Sequence, residues 1–193
     1  MSTLAERITA LFEQGSSAPR DDARDAFLRL RDELSLGKVR AAEPDSSSPT
    51  GWRVNTWVKQ GILLGFRFGD IVDMGVAKGR WPFYDKDTLP VKRIDPSSGV
   101  RLVPGGSAVR EGAYLGAGVI CMPPMYINVG AYVGDGTLVD SHALVGSCAQ
   151  IGRKVHLSAA AQIGGVLEPV GAMPVIVEDE VLVGGNCGVY EGA

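Results

Sequence analysis

Histidine and cysteine are scarce in this 193-residue chain, which has two of the first and three of the second. The cysteines, Cys121, Cys148 and Cys187, are odd in number and never closely paired as in a CxxC. That fits reduced thiols in a cytosolic chain better than a disulfide or zinc framework. Positive charge is no more plentiful: 19 lysines and arginines face 22 acidic residues, for a formal charge of -3. No basic block is present to track a phosphate backbone, so nucleic acid is not an expected partner. A long apolar run is missing too. The amino terminus, MSTLAERITALFEQG, carries Glu6 and Arg7 within its first turns, unlike a secretory signal or a membrane span. A soluble, cytoplasmic protein without a membrane partner is expected. What the chain does have is glycine, 26 residues, and 45% hydrophobic content, enough for a real core.

The first third reads as helical. Thr3 and Glu6 have capping-box spacing, and Leu4, Ile8, Leu11 and Phe12 form an apolar stripe behind them. A second helix begins after Pro19 and the Asp21, Asp22 pair, with Phe27, Leu30 and Leu34 on one face and Gly37 as its stop. Residues 43–51, rich in serine and flanked by proline, read as a loop. From Asn55, an expected N-cap, TWVKQGILLGFRF reads as a helix passing into a strand around Phe66.

After the DPSSG turn at residues 95–99 the period changes to six. Val109, Leu115, Cys121, Ile127, Val133, Val139, Val145, Ile151, Leu157 and Ile163 follow one another without a slip. Four residues beyond the anchors stand small or β-branched side chains, Ala113, Val119, Ala131, Thr137, Ala143, Ala149, Val155 and Ala161, with Met125 the larger exception. Glycine directly follows many anchors, as at Gly116, Gly134, Gly146, Gly152 and Gly164, where it is expected to serve unusual backbone angles. The segment GGVLEPVGAMPVI interrupts the register, which resumes at Val177, Val183 and Val189. A period of six fits neither a helix nor the alternating strands of a sandwich. It fits a hexapeptide solenoid, in which three units close a triangular coil of about eighteen residues. The expected fold is an all-β left-handed parallel β-helix over residues 101–193, preceded by a small, mainly helical domain over residues 1–100. The coils are expected to be truncated at the carboxyl end, since the chain stops inside a repeat with no polar cap.

Such a solenoid hosts acyltransferases, metal-dependent hydratases and inert scaffolds, so particular residues must decide. A hydratase-type metal site needs about three imidazoles. His142 and His156 occupy different positions in their hexapeptides, and no metal ligands are assigned. Either could be a general base or a corner residue bonded to backbone. The interruption at residues 164–174 reads as a loop thrown over a groove, which a scaffold would not need. Cys121 and Cys187 hold core-type positions as small apolar fillers. Cys148 falls elsewhere in its repeat and has no visible base partner. Arg153 and Lys154 read as a solvated corner, with contact to CoA phosphates as the alternative.

The run YINVGAYVGDGTLVDSHALVGSCAQIGRKVHLSAAAQIGGVLEP, continued by VIVEDEVLVGGNCGVYEG, resembles the core of the tetrahydrodipicolinate N-succinyltransferases. The resemblance extends back through VRLVPGGSAVREGAYLGAGVICMPPMY and, more loosely, WRVNTWVKQGILLGFRF. VGSCAQIG with IGGVLEP is its specific combination. It implies transfer of succinyl from succinyl-CoA, a cosubstrate, to the amine of L-2-amino-6-oxopimelate, with no permanently bound cofactor. Rival readings are another CoA-dependent acyltransferase of this fold and a non-catalytic scaffold. It implies that Arg101 binds a substrate carboxylate. It likewise implies that Asp140 binds the substrate amine and helps to remove its proton. Two departures stand out: His142 replaces the family's tryptophan, and Gly188 sits where a catalytic glutamate is proposed. Glu191 matches a second glutamate and is the nearest acidic replacement. A homotrimer with sites between subunits is expected, from the flat prism face and from the family.

Overall fold

The computed structural model describes residues 2–75 and 82–191. Helix α1, Leu4–Glu13, opens on the expected capping box: Glu6 N donates to Thr3 Oγ1 at 3.2 Å and Thr3 N to Glu6 Oε2 at 2.8 Å. Helix α2, Arg20–Ser35, places Asp21 and Asp22 in its first turn, where the helix dipole favours negative charge, and buries Ala23, Ala26, Phe27, Leu30 and Leu34. Gly37 follows at φ 69°, the left-handed stop expected of it.

Helix α3, Thr56–Phe68, runs two residues past the strand expected around Phe66, and the next strand begins only at Ile71. Its inner face explains the difference. Gly61 and Gly65, one turn apart, let α3 press against α2, since a Cβ at Gly65 would stand 2.6 Å from the Phe27 ring. Phe68 closes the same buried face. Asn55 precedes the helix without capping it, because its side-chain amide instead donates to the Arg40 carbonyl at 2.9 Å. Of the expected loop 43–51, residues 45–51 connect an antiparallel hairpin, Ala42–Pro44 with Trp52–Val54, and Glu43 and Pro44 belong to its first strand. A second hairpin pairs Ile71–Asp73 with Tyr84–Lys86.

From Arg101 onward the chain is a parallel β-solenoid with three faces. The first face stacks Tyr114–Leu115, Tyr132–Val133, Gln150–Ile151 and Ile176–Val177. On the second lie Arg101–Leu102, Ile120–Cys121, Leu138–Val139, His156–Leu157 and Leu182–Val183. The third carries Ala108–Val109, Tyr126–Ile127, Leu144–Val145, Gln162–Ile163 and Gly188–Val189. In each two-residue strand the second residue is the anchor of the hexapeptide, and those from Val109 to Ile163 are buried. Full burial of such aliphatic side chains contributes about 1.5–3 kcal/mol each before chain entropy is set against it. The small residues four positions on are buried with them. Thr137 satisfies its hydroxyl inside the coil by donating to Gly152 O at 2.9 Å and accepting from Val155 N at 3.1 Å.

The coil corners have a second regularity, and it falls on residues other than the glycines expected to serve unusual backbone angles. Left-handed backbone recurs three residues after the anchor, at Gly112, Gly118, Gly130 and Gly136, then at His142 (φ 63°), Cys148 (66°), Lys154 (53°) and Ala160 (59°). The glycines directly after the anchors are instead demanded by crowding between coils. A Cβ on Gly134 would stand 2.7 Å from the carbonyl of Gly152.

The interruption is anchored at both ends, with Glu168, Pro169 and Gly171 exposed between them. Val166 and Val175 join the solenoid core, while Leu167 packs against the helical cluster. That cluster also takes in Val129 and Cys148, so the helices and the corner between the third and first faces share one apolar seam. Cys121 is a buried filler as expected, but Cys187 is exposed in the last described coil. Among the described residues no helix is long and apolar enough to cross a membrane.

Candidate functional site at the edge of the second face

Asp140 directly follows the inward Val139, at the corner between the second and third faces. Its backbone is clamped: Asp140 N donates to Leu157 O at 3.0 Å, and Ala143 N to Asp140 O at 3.1 Å. One carboxylate oxygen, Oδ1, accepts from Ser141 N at 2.7 Å. The other, Oδ2, lies 3.8 Å from His156 Nε2. Strand register creates this approach, because His156 stacks directly on Leu138, two residues before Asp140.

On the other side of the same corner His142 is exposed in its left-handed conformation, and its N donates to Pro124 O at 2.5 Å. It heads a groove of about 430 Å³ on the third face, lined by Gly106, Pro124, Tyr126, Leu144 and Gln162. The corner thus offers a carboxylate with one imidazole, His156, near it, and a second, His142, at the head of the groove beside apolar and amide surface.

Arg101 begins the lowest strand of the second face and points outward in the same ladder as Ile120, Leu138 and His156. It stands two rungs from Leu138, roughly 10 Å at ordinary strand spacing. The second face therefore brings Arg101, Asp140 and His156 to one surface. Glu191 is elsewhere. It is exposed after the third-face strand Gly188–Val189, at the corner that leads back to the first face. A Cβ at Gly188 would meet the outer edge of the Tyr190 ring, an exposed side chain that would have to swing aside to admit it.

The thiols do not supply a nucleophile at this corner. Burial pushes Cys121 and Cys148 up to about 12, far from the thiolate that attack requires. Arg153 and Lys154 form an exposed corner paired with the acidic corner of the next coil, Arg153 with Asp179 at 2.8 Å and Lys154 with Glu180 at 3.4 Å.

Residues 3–68 match the family described as Tetrahydrodipicolinate N-succinyltransferase N-terminal. Several proteins named 2,3,4,5-tetrahydropyridine-2,6-dicarboxylate N-succinyltransferase align with nearly all of the chain. The one from Idiomarina loihiensis is 42% identical over 202 residues, covering 100% of this chain and 70% of its own length. That of Xylella fastidiosa is 46% identical over 178 residues, covering 89% and 61%. A third, from Rhodopseudomonas palustris, is 40% identical over 201 residues, covering 100% and 69%. The chain spans 61 to 70% of the length of these relatives. Identity at this level, over an alignment that covers the whole chain, places it in the tetrahydrodipicolinate N-succinyltransferase family.

Proposed function

We propose that this chain carries the substrate corner of an N-succinyltransferase that moves succinyl from succinyl-CoA to the amine of L-2-amino-6-oxopimelate, the opened hydrate of tetrahydrodipicolinate. The amine nitrogen attacks the thioester carbonyl, a C–N bond forms, the C–S bond breaks and the sulfur leaves as free CoA thiol. Asp140 holds the ammonium and draws off the proton that must depart before attack. Arg101 takes a substrate carboxylate with its planar fork. The observation that carries this reading is the Asp140 carboxylate, fixed at a corner between an open groove and an imidazole. CoA is a cosubstrate, and no resident cofactor takes part. The enzyme works as a soluble cytoplasmic protein.

The working form is a homotrimer. What supports this is the separation of Asp140 and Glu191 onto different corners of one solenoid, so that a second copy is needed to bring Glu191 to the substrate. Amine-dependent thiol release, measured side by side with succinyl-CoA and acetyl-CoA, tests the assignment. Turnover with succinyl-CoA in clear excess supports it. Preference for acetyl-CoA transfers the reading to another acyltransferase, and no release with either leaves a scaffold.

A further inference from the structure

The outward ladder of the second face is aliphatic around His156. Its register neighbours are Leu138 below and Leu182 above, with Ile120 one rung lower. Nothing in that ladder calls for an imidazole. The ring is partly exposed, with 43% of its side-chain surface accessible, yet its Nε2 atom is shielded from solvent and has no hydrogen-bond partner. A shielded ring nitrogen without a partner costs free energy until a partner is supplied. Its nearest ionic neighbour is Asp140 Oδ2 at 3.8 Å, too long for a hydrogen bond and within one side-chain adjustment of one. An ionised carboxylate only accepts, so closing that gap into a hydrogen bond requires the proton on the facing nitrogen.

We infer that His156 is a positioning residue for Asp140, closing onto Oδ2 as an Nε2–H donor when the amine substrate binds. The inference rests on the assignment of Asp140 to the amine. It gives the two oxygens separate supports: Oδ1 is held by the Ser141 amide, and Oδ2 by the imidazole. The carboxylate plane is then fixed, and the lone pairs left over are directed at the ammonium. Orientation of this kind acts on turnover more than on binding of the thioester.

The test uses His156→Leu, which matches the neighbouring rungs and keeps the ladder packed, and His156→Gln, whose terminal amide can replace an Nε2–H donor. Loss of a hydrogen bond to a charged group corresponds to about a 10- to 100-fold fall in kcat/KM for the amine. That fall is expected for His156→Leu, with KM for succinyl-CoA unchanged and with most activity restored in His156→Gln. In an Asp140→Asn background, His156→Leu should cost less than about threefold more, because the group it positions is already gone.

With only two histidines in the chain, selective 15N labelling can read the tautomer directly, above the ordinary imidazole range. Nε2–H at His156 is expected, with its signal displaced in Asp140→Asn. An unprotonated Nε2 facing Asp140 overturns the inference, as do equal activities of His156→Leu and the unaltered protein when Asp140→Asn is severe. Equal losses in His156→Leu and His156→Gln, additive with Asp140→Asn, would mark a packing role and overturn it as well. A silent Asp140→Asn removes the assignment beneath it, a separate failure recognisable from that variant alone.

Discussion

Lys59 on α3 donates from Nζ to the carbonyl of Ala172 at 2.5 Å, and the whole residue is buried. This contact ties the helical region to the segment that interrupts the coils. Burial pushes the Lys59 ammonium below its usual 10.5, with Cys148 nearby opposing the shift only in part. Below the folded-state value both folded and unfolded chains carry the proton, and the burial penalty is present in full. Between that value and 10.5 the unfolded chain binds more protons, so stability rises with pH. The unfolding free energy of the unaltered protein, relative to Lys59→Met, is therefore expected to increase toward pH 10.5 and then level off. A difference that stays constant across that window would show that the lysine is not held in the way described.

A second pair fixes the acid side. Asp87 is held at about 2, below its ordinary 3.8, first by its hydrogen bond from Arg24 and then by the amide of Asp70, against the opposing effect of burial. A lowered carboxylate contributes stability above 3.8 and loses it as pH falls through about 2. Both side chains are about a quarter exposed. With solvent screening allowed for, Asp87→Asn should cost about 1–2 kcal/mol at pH 7 and little near pH 2. Urea titrations at the two pH values check this, and an equal cost at both would contradict it.

The two kinds of coil glycine can be separated by substitution. Gly134→Ala places a methyl against the Gly152 backbone, which cannot swing aside, and should destabilise by about 1–3 kcal/mol. Lys154→Gly removes a side chain from a left-handed corner, where non-glycine residues are disfavoured by about 1–2 kcal/mol. Its exposed pairing with Glu180 contributes little. Thermal unfolding should show the second variant unchanged or more stable. The reverse order would mean that the corner, not the approach of the coils, sets the glycine requirement.

The repeat was legible because every sixth side chain from Val109 to Ile163 must point inward, a constraint strong enough to survive in bare sequence. The capping box of α1 was equally open, being local. What escaped depended on coils meeting across space. Gly134 carries no mark that separates crowding from backbone angle, and Lys59 looks like any solvated helix lysine until the interrupting segment is laid over it. The approach of His156 to Asp140 could have been found: an eighteen-residue coil stacks position 156 on position 138, which brings Asp140 within reach. The displacement of Glu191 to another corner follows from the same count. Tyr190 filling the space over Gly188 does not, since it depends on a rotamer.

If Asp140 and Glu191 meet only between copies, inactive variants should rescue one another. Equal mixing of Asp140→Asn and Glu191→Gln subunits, after dissociation and reassembly, should regenerate about a quarter of the unaltered sites in a cyclic trimer. Recovered activity far above that of either variant alone supports the shared site. No recovery in trimers shown to have exchanged would contradict it.

The most direct measurement is the turnover of Asp140→Asn in succinyl-CoA-dependent thiol release. The substitution keeps the size of the side chain, and its amide oxygen can still accept from Ser141 N, so unfolding should be almost unaffected. Loss of general-base assistance is expected to lower kcat by about 100- to 10,000-fold. Full activity in this variant, with its fold intact, would contradict the placement of the reaction at this corner of the solenoid.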